Sequence, residues 1–166
     1  MEIVRLTKQD RKDLVQLYRE ITLSLSQAGI RQWDRFYPNR FVIEQDLKRG
    51  TVYGIRGGQR IIGAVVVDSQ QSGKYARLIW NDRTGKPSCI HRLAVHPDYQ
   101  GQGIGKRLLQ FAEEHAREAG SSSIRLDVFT GNPGAVGMYR RAGYVEVGTI
   151  KFPMRKVPYL CFEKLL

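Results

Sequence analysis

Apolar residues recur along the chain in two rhythms, alternating and helical, and these predict its elements in order. Glu2 to Leu6 alternates, as a half-buried strand does. Thr7 to Asp10 has the form of a capping box with an acidic third position. Leu14, Leu17, Tyr18, Ile21, Leu25 and Ala28 then return at helical spacing, and Gly29 suits the end of that helix. Asn39 is placed to cap a short helix over Arg40 to Arg49, which Gly50 closes. Thr51 to Arg56 and Arg60 to Val67 read as two strands around the hairpin signal Gly57-Gly58. After polar Ser69 to Lys74, the run Arg77 to Trp80 predicts a short strand and Asn81 to Ser88 a turn-rich loop. Cys89 to Val95 predicts the central strand. A stripe of Ile104, Leu108, Phe111, Ala112, His115 and Ala119 predicts a long helix stopped by Gly120. Ser123 to Phe129 is a strand. Asn132 as cap and Pro133 as first residue open a helix that Gly143 ends. Tyr144 to Ile150 and Tyr159 to Leu165 are the last strands, joined by Lys151 to Pro158. The order β-α-α-β-β-β-α-β-α-β-β predicts an α/β fold with a mixed sheet covered by helices.

Composition narrows the class. The 166 residues show no repeat, low-complexity tract or linker, so a single domain over 1–166 is expected. No apolar run nears the ~20 residues that span a bilayer, and Met1-Glu2-Ile3-Val4-Arg5 has no signal-peptide core. Cys89 and Cys161 have neither metal spacing nor a disulfide framework. A cytoplasmic chain without a metal is expected. The net charge of +11 favours anionic ligands. The basic residues are scattered and no nucleic-acid module is present, so neither nucleic acid nor a membrane is the expected partner.

Candidate chemistry centres on Leu93-Ala94-Val95-His96-Pro97-Asp98-Tyr99-Gln100-Gly101-Gln102-Gly103-Ile104-Gly105-Lys106. This reads as strand end, glycine-rich turn and helix start. Glycines let backbone approach a ligand and adopt positive φ. Unpaired amides at a helix head, with the helix dipole, attract a phosphate or pyrophosphate. A Rossmann fingerprint fails, because the sixth position is Lys106 from Gly101 and Leu108 from Gly103. A P-loop also fails, because Gln100 and Arg107 stand where Gly and Ser or Thr are needed.

Gln100-x-x-Gly103-x-Gly105 instead resembles the Q/R-x-x-G-x-G/A motif of the GNAT N-acetyltransferase superfamily. There the loop holds the pyrophosphate of acetyl-CoA. A second stretch, Asn132-Pro133-Gly134-Ala135-Val136-Gly137-Met138-Tyr139-Arg140-Arg141-Ala142-Gly143-Tyr144, resembles the family's N-x-x-A-x-x-x-Y-x-x-x-G-[FY], with Met138 where Leu is usual. The order of elements is the family's too, so the resemblance spans nearly the whole chain. It implies a mostly antiparallel central sheet with helices on both faces, acetyl-CoA as cosubstrate, no metal, and a homodimer as a common assembly. The cofactor residues carried over are Leu93, Ala94 and Val95, Gln100, Gly101, Gln102, Gly103, Ile104, Gly105 and Lys106, together with Asn132 and Tyr139.

The implied reaction is acetyl transfer to a primary amine of a small molecule or peptide. Three things are needed. The amine must lose a proton, because a lysine-like amine has a pKa of about 10.4. The tetrahedral oxyanion needs a donor, which in the family is backbone N–H near Leu93 to Val95. The departing thiolate needs a proton, and the resemblance assigns this to Tyr139. His91 resembles the base of arylalkylamine N-acetyltransferases, and strand alternation puts it on the face of Leu93 and Val95, opposite Arg92. Asp127 is the rival base, at the place of a catalytic Glu in ribosomal-protein N-terminal acetyltransferases, and ordered water is a third route. His96 and His115 read as structural, and a covalent route through Cys89 would need an activated thiolate. Trp33, Tyr37 and Trp80 are the candidate substrate contacts, through aromatic or cation–π interaction with an amine. The other class of function is a non-catalytic acyl-CoA-binding or sensor module.

Overall fold

Eleven predicted elements become β1 (Ile3–Arg5), α1 (Arg11–Gln27), α2 (Arg40–Arg49), β2 (Val52–Gly57), β3 (Arg60–Asp68), β4 (Pro87–Val95), α3 (Ile104–Glu118), β5 (Ser123–Phe129), α4 (Pro133–Arg141), β6 (Val145–Ile150) and β7 (Tyr159–Leu165). They belong to a computed structural model that describes residues 1–83 and 85–166. Among the described residues the strands are mostly antiparallel, β4 with β5 being the parallel pair. The capping signals explain the boundaries. The Asn39 side-chain oxygen accepts from the Val42 amide at 3.0 Å, and Gly50 ends α2 at φ 69°. The Asn132 oxygen accepts from the Ala135 amide at 3.2 Å. The capping box is present, but it closes a 3-10 turn over Lys8–Asp10, and α1 follows at Arg11.

The chain forms two compact units, each built from two segments. The first comprises Met1–Val67 and Arg92–Ala112. In it β1 pairs with β2 (Val4 opposite Gly54) and β2 with β3 (Val52 opposite Val66), both antiparallel. Leu14, Leu17 and Ile21 of α1 and Ile43 and Leu47 of α2 share one core with Val52, Ile61 and Val66. Each fully buried aliphatic side chain of this kind contributes ~1.5–3 kcal/mol relative to exposure. Gly63 lets the start of α3 lie close to β3. A Cβ there would sit 3.0 Å from both Ile104 and Leu108.

The second unit comprises Asp68–His91 and Glu113–Leu166. Its strands run in the order β4-β5-β7-β6, with Cys89 opposite Arg125 and Asp127 opposite Cys161. A buried ion pair pins its long connection. Arg125 donates to Glu163 at 3.0 Å, to Gln71 at 2.8 Å and to the Asp82 carbonyl at 2.6 Å, while Glu163 accepts from the Asn81 amide at 2.7 Å.

Three details differ from the sequence expectation. The run Arg77 to Trp80 is no strand. A 3-10 turn occupies Gly73–Arg77, and Tyr75 and Trp80 tuck into a small core with Cys89, Ile150 and Cys161. Trp80 finds burial there without a pairing strand, while Ile79 stays exposed. The buried stripe of α3 runs through Ile104, Leu108, Leu109, Ala112, Glu113 and Ala116, leaving Ala119 exposed. Glu113 is tolerated inside because Lys164 donates to it at 2.9 Å. Finally, Arg92 has φ 48°, so the alternation of β4 breaks there. Faces inferred across that residue from strict alternation do not hold.

Candidate active site

The first unit carries the glycine loop. After β4, His96 leads into a 3-10 turn over Pro97–Tyr99, and α3 starts at Ile104. Gly101 and Gly103 both take positive φ, 76° and 79°. A Cβ built at either would have no atom within 4 Å, so the loop's outer side is open. The first amides of any α-helix lack intrahelical acceptors. Here the first helical bond runs from the Arg107 amide to the Gly103 carbonyl at 3.0 Å. Gly101, Gln102 and Gly103 are exposed, as is the Lys106 side chain on the first turn. An open backbone cradle at the head of a helix, with a cation beside it, fits a diphosphate. Two exposed glutamines brace the loop: Gln100 donates to the Val95 carbonyl at 3.1 Å and Gln102 to the Asp98 carbonyl at 3.3 Å. Of the strand residues, Leu93 and Val95 are half-buried and Ala94 is buried.

Beside them Arg92 forms a buried cluster. Its guanidinium donates to Asp46 through Nε at 2.9 Å and Nη2 at 2.8 Å, and through Nη1 to the Tyr37 hydroxyl at 2.7 Å. Burial works against its charge, but Tyr37 and Asp46 outweigh that and raise its pKa further. Tyr37 keeps 37% of its surface exposed. Trp33 is buried, its ring meeting Tyr18 edge-on at 5.4 Å.

The second unit carries the acid–base candidates. His91 Nε2 lies 2.9 Å from Asp68 Oδ1, with about a quarter of the imidazole exposed, 24%. A carboxylate accepts only, so Nε2 carries the proton and Nδ1 the lone pair when the ring is neutral. Asp127 accepts from the Tyr75 hydroxyl at 2.6 Å. Tyr139 is buried on α4, its ring 5.7 Å from that of Tyr144 and 6.0 Å from that of Phe162. Burial, and then the Asp127 charge, raise its pKa, so the phenol stays protonated but becomes a weaker acid. The Asn132 side chain is occupied in capping α4. Cys89 is fully buried, and burial with the nearby charge of Asp68 pushes its thiol up to about 12. That holds it as a thiol near neutral pH and leaves no basis for a covalent acyl route. Trp80 is buried too. Its Nε1 donates to the Tyr75 carbonyl at 2.9 Å, and the Arg125 guanidinium lies 4.3 Å over its ring.

Of the aromatic substrate candidates, Tyr37 is thus exposed, whereas Trp33 and Trp80 have their rings taken up by neighbours. Sequence reasoning missed Asp68, Tyr75 and Asp46, the partners of His91, Asp127 and Arg92. Each lies far along the chain from its partner, and no local pattern marks such a pair. Among the described residues, His, Cys, Asp and Glu side chains form no group of three that could hold a metal ion.

Residues 12–144 match the acetyltransferase (GNAT) family. An uncharacterized N-acetyltransferase of Bacillus subtilis, YesJ, is 30% identical over 127 residues, covering 75% of this chain and 70% of that protein. An uncharacterized N-acetyltransferase of Methanocaldococcus jannaschii, MJ1207, is 28% identical over 93% of this chain and 65% of its own length. A GNAT-family acetyltransferase structure from Streptococcus agalactiae shares the fold with a TM-score of 0.86 at 19% identity, over 99% of this chain and 95% of that one. The structure of a NatC complex bound to Gag peptide and CoA shares it with a TM-score of 0.72 at 18% identity, over 100% and 99%.

Proposed function

The chain belongs to the GNAT family and is an acetyl-CoA-dependent acyltransferase, and we propose that its acceptor is a primary amine of a small molecule or peptide, acetylated by direct attack in a ternary complex. The loop from Gln100 to Lys106 holds the diphosphate. Backbone of Leu93 to Val95 donates to the thioester carbonyl, and Asn132 and Tyr139 complete the coenzyme contacts. The open cradle formed by Gly101 and Gly103 at positive φ carries this reading.

The amine nitrogen attacks the thioester carbon, a C–N bond forms, and the C–S bond breaks as the oxyanion collapses. The amine's proton goes to a base, and the thiolate takes one from the Tyr139 hydroxyl. His91 is the better-prepared base, because Asp68 fixes its proton on Nε2 and leaves Nδ1 to accept. Asp127 already accepts from Tyr75, and serves the site by holding that phenol. Tyr37, the exposed one of the three aromatic candidates, contacts the acceptor.

A thiol-release assay with acetyl-CoA and a panel of amines, polyamines, aminoglycosides and N-terminal peptides tests this. Amine-dependent release supports it. CoA binding without release for any amine would instead support a non-catalytic acyl-CoA-binding module.

A further inference from the structure

His96 reads from sequence as the end of a strand, yet the structure makes it the hub beneath the glycine loop. Its ring is buried, with 8% of the side chain exposed. Nε2 lies 2.5 Å from Glu20 Oε2 on α1, and Nδ1 accepts from the Asp98 amide at 3.2 Å. A backbone amide can only donate, so Nδ1 carries the lone pair and Nε2 the proton. Arg60 on β3 donates to the same Glu20 oxygen at 2.7 Å, 3.3 Å from His96 Nε2. The Tyr99 ring meets the imidazole edge-on, with centroids 5.7 Å apart. The charged groups facing the ring are therefore Glu20, Arg60 and Asp98, whose carboxylate oxygen lies 3.9 Å from Nδ1.

This connects α1 to the loop. The bond from the Asp98 amide fixes the start of the turn, and Gln102 donates to the carbonyl of the same Asp98 at 3.3 Å. We propose that His96 is a positioning residue for the coenzyme: its neutral imidazole, oriented by Glu20, latches the Asp98 amide and so sets the loop that receives the diphosphate. Protonation at Nδ1 replaces an acceptor with a donor. The Asp98 amide then loses its partner, and Nδ1–H turns toward the Asp98 carboxylate. The latch is therefore closed when the ring is neutral and open when both of its nitrogens carry protons.

The proposal rests on the reading that the loop binds CoA, and the test separates the two. The test is a calorimetric titration of the full chain with CoA, once at about pH 8 and once at about pH 5.5. It is run on the wild type, His96→Ala and His96→Asn. Asn supplies a side-chain oxygen that accepts from the amide two residues on and does not titrate. His96→Ala weakens CoA binding at pH 8 by about five- to tenfold, the worth of one hydrogen bond. His96→Asn restores it, and loses much less affinity than wild type on going to pH 5.5. In parallel, the Asp98 amide resonance of the coenzyme-free wild type shifts with pH, and that of His96→Asn does not. Wild-type affinity in His96→Ala, or equal acid losses in wild type and His96→Asn, overturns the latch while leaving the loop assignment standing. Absence of CoA binding by the wild type overturns the loop assignment, and an Asp98 resonance that then fails to titrate removes the latch as well.

Discussion

Replacing Asp46 with Ala breaks a buried ion pair of the first unit. Asp46 is 3% exposed and takes two bonds from Arg92, at 2.9 and 2.8 Å, while the Arg92 side chain is itself 11% exposed. Removing the carboxylate leaves a guanidinium with the Tyr37 hydroxyl but no counter-charge at its Nε and Nη2 edge. Breaking one side of a buried pair costs about 3–5 kcal/mol. A domain of this size loses ~2–4 °C in Tm per kcal/mol. Asp46→Ala is therefore expected to melt ~6–20 °C below wild type by calorimetry, with a matching drop in urea midpoint. The exposed pair Arg11–Glu44, whose side chains are 50% and 48% exposed, is the contrast. Glu44→Ala is expected to cost less than ~1 kcal/mol. Removing both charges in Asp46→Leu with Arg92→Met recovers much of the loss, because the desolvation of two ions goes with them. A fall of less than about 3 °C for Asp46→Ala, or a double variant no more stable than the single one, would refute this reasoning.

Other consequences are testable in turn. Tyr139→Phe removes the proposed acid, and kcat should fall about 10²-fold, the low end for acid catalysis because burial weakens this phenol; wild-type kcat across the pH range would remove Tyr139 from the chemistry. Gly103→Val places a branched residue at φ 79° on the open side of the loop, so stability should drop by about 1–2 kcal/mol and CoA binding should be lost in a calorimetric titration; retained affinity would contradict the proposed cradle. Cys89, with its thiol raised to about 12, should resist iodoacetamide at neutral pH, and Cys89→Ala should keep turnover; loss of turnover with an intact fold would reopen a thiol route. Hydrogen bonds from Ser122 and Ser123 hold the Asp82 carboxyl below its usual value. A depressed folded pKa stabilises fully above the unfolded value of about 3.9 and is lost as pH falls through the folded value. Asp82→Asn should thus lower stability at neutral pH and flatten its decline in acid, and an unchanged acid limb would exclude this contribution.

Local signals made much of this legible. Caps at Asn39 and Asn132 and glycines at 50, 103 and 143 gave boundaries within a residue or two, because each acts through its own backbone. The glycine loop was legible for the same reason. What escaped depends on partners distant in sequence. Arg77 to Trp80 is apolar enough for a strand, and only the core holding Tyr75 and Trp80 decides otherwise. Glu113 enters the buried face of α3 because Lys164 reaches it from β7. The positive φ of Arg92, held by Asp46 and Tyr37, breaks an alternation that spacing alone would extend. His96 looked inert for want of knowledge that Glu20 of α1 sits at its Nε2.

Acetyl transfer itself is the central claim, and mass spectrometry of the products tests it most directly. Incubated with acetyl-CoA and a panel of primary amines, the wild-type chain should yield free CoA and one N-acetylated amine in equal amounts, and Gly103→Val should yield neither. If no amine gains an acetyl group while the folded chain shows no heat with CoA, the account is contradicted at its root.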